Sequence, residues 1–153
     1  VRNQEYVKEK SLFSQDLLGV DLIINTQEMM VKTILELMEI PGASEVINFL
    51  DGEMKLIGFL ITEDSPLAGK RLSGPKISNE NILVVAIVRG HKIHIPSGND
   101  TIEPLDIIYI VVKKSEITST LARLGMPTRP VKNIIIVGGG SVGCETAYFL
   151  AHE

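Results

Sequence analysis

The chain has one cysteine, Cys144, no tryptophan, three tyrosines and four phenylalanines in 153 residues. A single thiol excludes an intramolecular disulfide framework, and such sparing use of cysteine fits a reducing cytoplasm. No apolar run reaches the ~20 residues that span a bilayer, and no signal-peptide pattern opens the chain. Any membrane role is therefore expected to run through a partner. Basic residues are not clustered: 15 Lys and Arg stand against 19 Asp and Glu, a net charge of −4. Nucleic-acid binding has little electrostatic support from such a balance. What is present in quantity is apolar, 44% of residues, enough for one compact domain of ordinary size with flanking pieces.

Residues able to do chemistry are few and poorly grouped. His91 and His94 lie three apart, and on a strand an odd spacing points them to opposite faces, which disfavours chelation. Cys144 falls on the first turn of an expected helix, where a thiolate would be stabilised, but a small buried helix residue is the simpler role. Glu63 with Asp64, and Asp100 with Glu103, read as solvated turn charges rather than acid–base pairs. The turn Ser97-Gly98-Asn99-Asp100-Thr101 offers groups for an anion or effector, and turn capping accounts for it more economically. No catalytic or metal-binding residue is assigned.

Three zones follow one another, and their mixture predicts an α/β (α+β) chain. Residues 1–41 read as helix, strand, helix: Leu12, Phe13, Leu17 and Leu18 on a short helix closed by Gly19, a strand from Asp21 to Asn25, and a helix to Glu39 capped by Thr26. Pro41-Gly42 ends that zone. Residues 42–125 change to a two-residue period, with strands expected at 46–50 and 55–61 joined by Asp51-Gly52, then at 82–89, 92–95 and 105–112. Turns are expected at Arg89-Gly90 and across 96–100, and a closing helix capped by Ser115 is expected to end at Gly125. Residues 126–130, with two prolines, read as a stiff extended linker.

The helix expected from Thr26 to Glu39 is apolar around much of its circumference, from Met29 and Met30 to Leu37 and Met38. One core-facing stripe needs little more than about 100°, so two partners are expected. These are its own domain and a neighbouring subunit, or two sides of one larger core.

Residues 131–153 carry the most specific pattern. Ile134 to Val137 is an unbroken apolar run of the kind found in a parallel strand covered on both faces, and it enters Gly138-Gly139-Gly140-Ser141-Val142-Gly143. In a G-x-G-x-x-G loop the first glycine permits the turn, the second lets a pyrophosphate approach the backbone, and the third allows close helix packing. Gly138, Gly140 and Gly143 are therefore the candidate cofactor-binding residues. A glycine-rich turn used only for packing is the other reading. The acidic ribose ligand expected roughly 20 residues further on would lie beyond Glu153. The expectation is thus a piece of a longer protein, holding the truncated start of a Rossmann-like domain that would fray or borrow packing.

The order of the zones and their wording resemble the regulators of potassium conductance, the RCK family, in particular its TrkA-type subunits. Residues 1–6, Leu18 to Asp21 and Ile24-Asn25 look like the end of the family's nucleotide domain, and Thr26 to Pro41 like its dimer-forming helix. Ser65 to Leu72, Val85 to Arg89, Ile95 to Gly98 and Leu105 to Tyr109 resemble signature stretches of its C-terminal domain. The resemblance implies a tail of a first Rossmann-like nucleotide domain at 1–41, an RCK_C (TrkA C-terminal-type) regulatory domain at 42–125, a linker at 126–130, and the start of a second nucleotide domain at 131–153. It further implies a non-enzymatic cytoplasmic subunit at the inner face of the membrane that controls potassium uptake through an integral-membrane transporter. The subunit would pair with itself as a homodimer within a higher ring. NAD, NADH, ATP or ADP would bind in the intact nucleotide domains, with none held by these residues alone. Some relatives bind a cyclic dinucleotide at the subunit interface. The contrasting reading is an NAD(P)-dependent oxidoreductase, which the glycine loop would suit equally.

Overall fold

The computed structural model describes residues 21, 24–74, 77, 82–129 and 131–152. The helix expected around residues 12–18, and Leu22 and Ile23 of the strand expected at 21–25, lie outside them. Two compact units are formed, one from residues 37–132 and one from residues 1–36 with 133–153.

Helix α1 spans Thr26–Glu39, as its apolar spacing predicts, but its cap is Asn25 rather than Thr26. The Asn25 side-chain oxygen accepts from the backbone N–H of Gln27 at 3.1 Å and of Glu28 at 3.4 Å, satisfying two orphan donors of the first turn. Thr26, already inside the helix, cannot take that position.

The larger unit is built on a five-stranded antiparallel sheet of β1 (Ala43–Phe49), β2 (Met54–Leu60), β3 (Leu83–Arg89), β4 (Lys92–His94) and β5 (Ile107–Lys113). The spatial order is β1-β2-β5-β3-β4, so the last strand enters the middle of the sheet between two hairpins. The expected first hairpin forms, though with a longer loop than the two-residue turn that Asp51-Gly52 suggests. Leu50, Asp51 and Gly52 all take positive φ, and pairing resumes at Phe49 with Met54.

Alternation fixes which face is buried. Ile57, Phe59, Ile87, Ile108 and Ile110 share one face and are fully buried. Leu37 and Ile40 at the end of α1 pack on that core, as do Leu121 and Leu124 of helix α2 (Ile117–Leu124). Truncating a buried aromatic such as Phe59 to alanine costs about 3–5 kcal/mol. Lys55 is also buried, its ammonium 3.7 Å from the Glu39 carboxylate, which ties β2 to the end of α1.

Segment 61–74 adds Ile61, Leu67 and Leu72 to the core and is anchored by backbone pairing with 98–102. Gly69 N–H donates to Ile102 at 2.8 Å and Leu72 N–H to Asp100 at 3.0 Å. Helix α2 ends at Gly125 with φ +73°, where Met126 N–H donates to Leu121 at 2.9 Å, the expected glycine stop. Its beginning differs from expectation: Ser115 sits inside a 3-10 turn, Lys114–Glu116, and no side chain caps the helix.

In the smaller unit, helix α3 spans Ser141–Leu150, and Gln27 donates its side-chain amide to Glu145 at 2.8 Å. Val31 and Thr146 are buried there, and Met29 and Met30 face outward. Ile134 to Val137 does not form the expected buried strand. It is unpaired among the described residues, with Ile135 89% and Val137 95% exposed. A parallel strand draws its ladder from neighbours reached through crossovers, and none lies among the described residues.

Candidate functional site

The glycine loop is positioned by α3. Gly140 is the N-cap residue with extended backbone, and its carbonyl accepts from Cys144 N–H at 2.9 Å, closing the first helical turn. Gly138 takes φ +111°, a conformation closed to residues with a Cβ. A Cβ on Gly143 would lie 2.6 Å from the Gly138 carbonyl oxygen and 3.4 Å from Ile136 Cγ2, so only glycine fits where the helix crosses the loop. Around Gly139 and Gly140 a Cβ would meet nothing within 4 Å. One glycine is thus required by backbone angle and one by close packing, while the loop between them faces open space at a helix N-terminus. Backbone N–H groups and the helix dipole at such a place favour an anion.

Cys144, expected to be buried, is exposed, and its thiol lies 3.4 Å from the Gly139 carbonyl. The tight approach at Gly143 turns the adjacent position outward.

In the larger unit the main polar constellation is one that sequence reasoning missed. Asp106 is fully buried, and Arg89 grips it with two parallel bonds, Nε to Oδ1 and Nη2 to Oδ2, both 2.8 Å. Arg89 also donates to Glu103 at 2.7 Å and to the Thr101 carbonyl at 2.9 Å, and the Asp106 carboxylate accepts from Glu103 N–H at 2.8 Å. Burial pushes the Asp106 pKa up, but the Arg89 guanidinium and the Glu103 N–H outweigh it and hold the carboxyl below its usual range. Arg89 is raised, first by its hydrogen bond to Asp106 against the opposing effect of burial. Leu105, beside them, is held at φ +70° by a 2.7 Å bond from its N–H to Ile61. Each guanidinium nitrogen has an acceptor, so this constellation locks the loop before β5 to the end of β3.

Asp100 accepts from Ser97 N–H at 2.6 Å and Ser97 Oγ at 3.0 Å, which lowers its pKa and makes the 97–101 turn self-capped. His91 lies in the β3–β4 turn rather than on a strand, and His94 is on β4. Glu63 and Asp64 are exposed turn residues. Among the described residues no group of three His, Cys, Asp or Glu could hold a metal, and no helix is long and apolar enough to cross a membrane.

Residues 56–125, from β2 through the glycine stop of α2, match the TrkA-C domain. The chain is 31% identical over 150 residues to the Trk system potassium uptake protein TrkA of Vibrio alginolyticus, covering 96% of this chain and 33% of that protein. It is 29% identical over 155 residues to the TrkA of Halomonas elongata, covering all of this chain and 34% of that one. It therefore spans about a third of the length of the curated relatives it matches. Two solved structures share the fold: the GsuK channel, at TM-score 0.52 and 18% identity over 88% of this chain and 24% of that one, and the GsuK channel bound to NAD, at 0.50 and 16% over 88% and 24%. The sheet, the helix that closes it and the matched residues agree: residues 56–125 are a TrkA-C domain, in a chain similar along its length to a third of the TrkA potassium uptake proteins.

Proposed function

We propose that this chain is the middle part of a non-enzymatic cytoplasmic regulator that adjusts potassium uptake through an integral-membrane transporter. In this reading residues 1–41 end a first nucleotide domain, 42–125 form the TrkA-C regulatory domain, 126–130 link, and 131–153 open a second nucleotide domain. Gly138, Gly140 and Gly143 would cradle the phosphates of NAD, NADH, ATP or ADP in the intact protein. Homodimers within a ring would carry the response to the pore at the inner membrane face.

The observation that carries the reading is the division of labour in the loop. Gly143 has no room for a Cβ, Gly138 has an angle that excludes one, and the stretch between them is open. The relatives named as potassium uptake proteins and the NAD-bound channel structure support placing this loop in a potassium regulator. A bound nucleotide must favour one assembly state over the other by differential affinity, because equal binding shifts nothing.

The test is potassium uptake in cells lacking the parent gene. Restoration by the full-length parent, and its loss with Gly140→Val or Gly143→Val, is the expected result. Wild-type uptake from both variants would sink the assignment of the loop. The oxidoreductase reading is separated by a turnover assay of the full-length parent with NADH and common acceptors, where sustained oxidation would defeat the regulatory reading.

A further inference from the structure

The backbone enters the larger unit through one tight turn and leaves it through another, and the two turns touch. At the entry, Ala43 N–H donates to the Ile40 carbonyl at 3.0 Å and Gly42 takes φ +85°. Proline at the second position and a positive φ at the third make Ile40-Pro41-Gly42-Ala43 a type II turn, which fixes the direction of the chain between α1 and β1. Ile40 is buried and Leu37 packs on the same core, so the turn is anchored from beneath. Glu39, one residue before it, holds the ammonium of buried Lys55.

At the exit, Gly125 closes α2 with φ +73°, and Pro66 stands over it: a Cβ there would lie 2.8 Å from Pro66 Cγ. Met126 packs on the core, and the ring of Pro127 then comes to rest over Gly42, where a Cβ would meet Pro127 Cδ at 3.7 Å and Cγ at 3.9 Å. Among the described residues nothing else comes within 4 Å of that position apart from the chain neighbours of Gly42. The first two residues of the 126–130 stretch are thus fastened to the body of the unit, whereas a proline-rich linker ordinarily runs extended as a free spacer.

We propose that these two turns form a clasp that couples the entry of the larger unit to its exit. With Pro127 seated on Gly42, the linker starts from a fixed point beside the end of α1. Displacement of α1 moves the Ile40–Ala43 turn, and the ring loses its seat. A push on the end of α1 therefore reaches the residues that leave α2 without passing through the sheet. The contact is small, and rigidity makes it effective: a proline ring and a turn already fixed by proline give up little conformational freedom on meeting. Coupling through packed groups requires two discrete arrangements of one element, and Pro127 seated or unseated supplies them. The clasp stands apart from whatever the glycine loop binds, since every residue in it belongs to the larger unit.

Amide exchange of the 153-residue chain tests the coupling in both directions. Three hydrogen-bonded amides report on it: Ala43 at the entry, bonded at 3.0 Å, and Gly125 and Met126 at the exit, bonded at 3.1 and 2.9 Å. Pro127→Ala is expected to speed exchange at Ala43 about fivefold, and Pro41→Ala to speed it at Gly125 and Met126 by a similar factor, because coupling between two sites is reciprocal. Ile57 and Ile110, buried in the sheet, should keep their rates in both variants, and Pro96→Ala should move none of the three reporters. Effects confined to the turn that carries the substitution would overturn the clasp. Pro127 is exposed, so its replacement leaves the core intact. Should Pro41→Ala fail to fold, Pro127→Ala decides alone: faster exchange at Ala43 supports the clasp, and the wild-type rate overturns it.

Discussion

Tyr109 on β5 reaches over Gly58 of β2 and donates its hydroxyl to the Glu45 carboxylate on β1 at 2.8 Å. The missing side chain makes the path. A Cβ on Gly58 would lie 3.2 Å from both Tyr109 Cε1 and Ser44 Oγ, and 3.4 Å from Glu45 Cβ. Glycine inside a strand usually weakens it or marks a close approach. Here it lets two non-adjacent strands share a hydrogen bond on the outer face. That bond to the carboxylate, with a further contribution from burial, holds the phenol above the usual tyrosine range.

Tyr109→Phe is expected to lose about 1 kcal/mol, the net worth of one such bond. Gly58→Ala is expected to cost about 1–3 kcal/mol by crowding the ring. Because the folded pKa of Tyr109 is raised, the linked stability is complete below the unfolded value of about 10 and is lost as pH rises through the folded one. Alkaline unfolding followed by circular dichroism checks this: wild type should lose stability above that pH more steeply than Tyr109→Phe.

The Arg89–Asp106 grip makes the acid side of the same test. Arg89→Met leaves a buried carboxylate without its counter-charge, at an expected cost of about 2–4 kcal/mol, and Asp106→Asn strands the guanidinium at a similar cost. The folded pKa of Asp106 is depressed, so its contribution is present above the unfolded value of about 4 and disappears as pH falls through the folded one. Denaturant melts at stepped pH should show a shallower acid dependence for Asp106→Asn, and a double-mutant cycle should return a coupling above about 1 kcal/mol.

At α1 the cap prediction distinguishes neighbours. Asn25→Ala should cost about 1 kcal/mol and Thr26→Ala within about 0.5 kcal/mol, since only the Asn25 side chain accepts from first-turn N–H groups. Equal effects in chemical denaturation would contradict the assignment.

Within the loop, Gly139→Ala should be close to neutral, because a Cβ there meets nothing within 4 Å. Gly143→Ala should push α3 off the loop and raise amide exchange through Ser141–Leu150, since its Cβ would stand 2.6 Å from a backbone oxygen that cannot move independently.

Local physics made much of the fold legible. The apolar spacing of α1, the Asp51-Gly52 hairpin, the Arg89-Gly90 turn and the Gly125 stop depend on residues close in sequence, and each appears where expected. The Arg89–Asp106 pair was not legible, because it requires β5 to insert beside β3, a pairing between residues 17 apart that no local pattern announces. The choice between Asn25 and Thr26 turned on one residue of helix phase. The run Ile134 to Val137 reads as a strand buried on both faces and is exposed here, because burial of a parallel strand depends on neighbouring strands rather than on the strand itself. The glycine spacing was legible, and its geometry distinguishes the residue that lacks room, Gly143, from the one that needs its backbone angle, Gly138.

The most direct measurement is calorimetric titration of NADH, NAD and ATP into two proteins: this chain, and one extended through the complete fold that follows Gly143. NADH or ATP is expected to bind the longer protein only, and Gly140→Val or Gly143→Val to abolish the heat without unfolding the TrkA-C domain. Failure of every nucleotide to bind the longer protein, or binding unaffected by either variant, would contradict this.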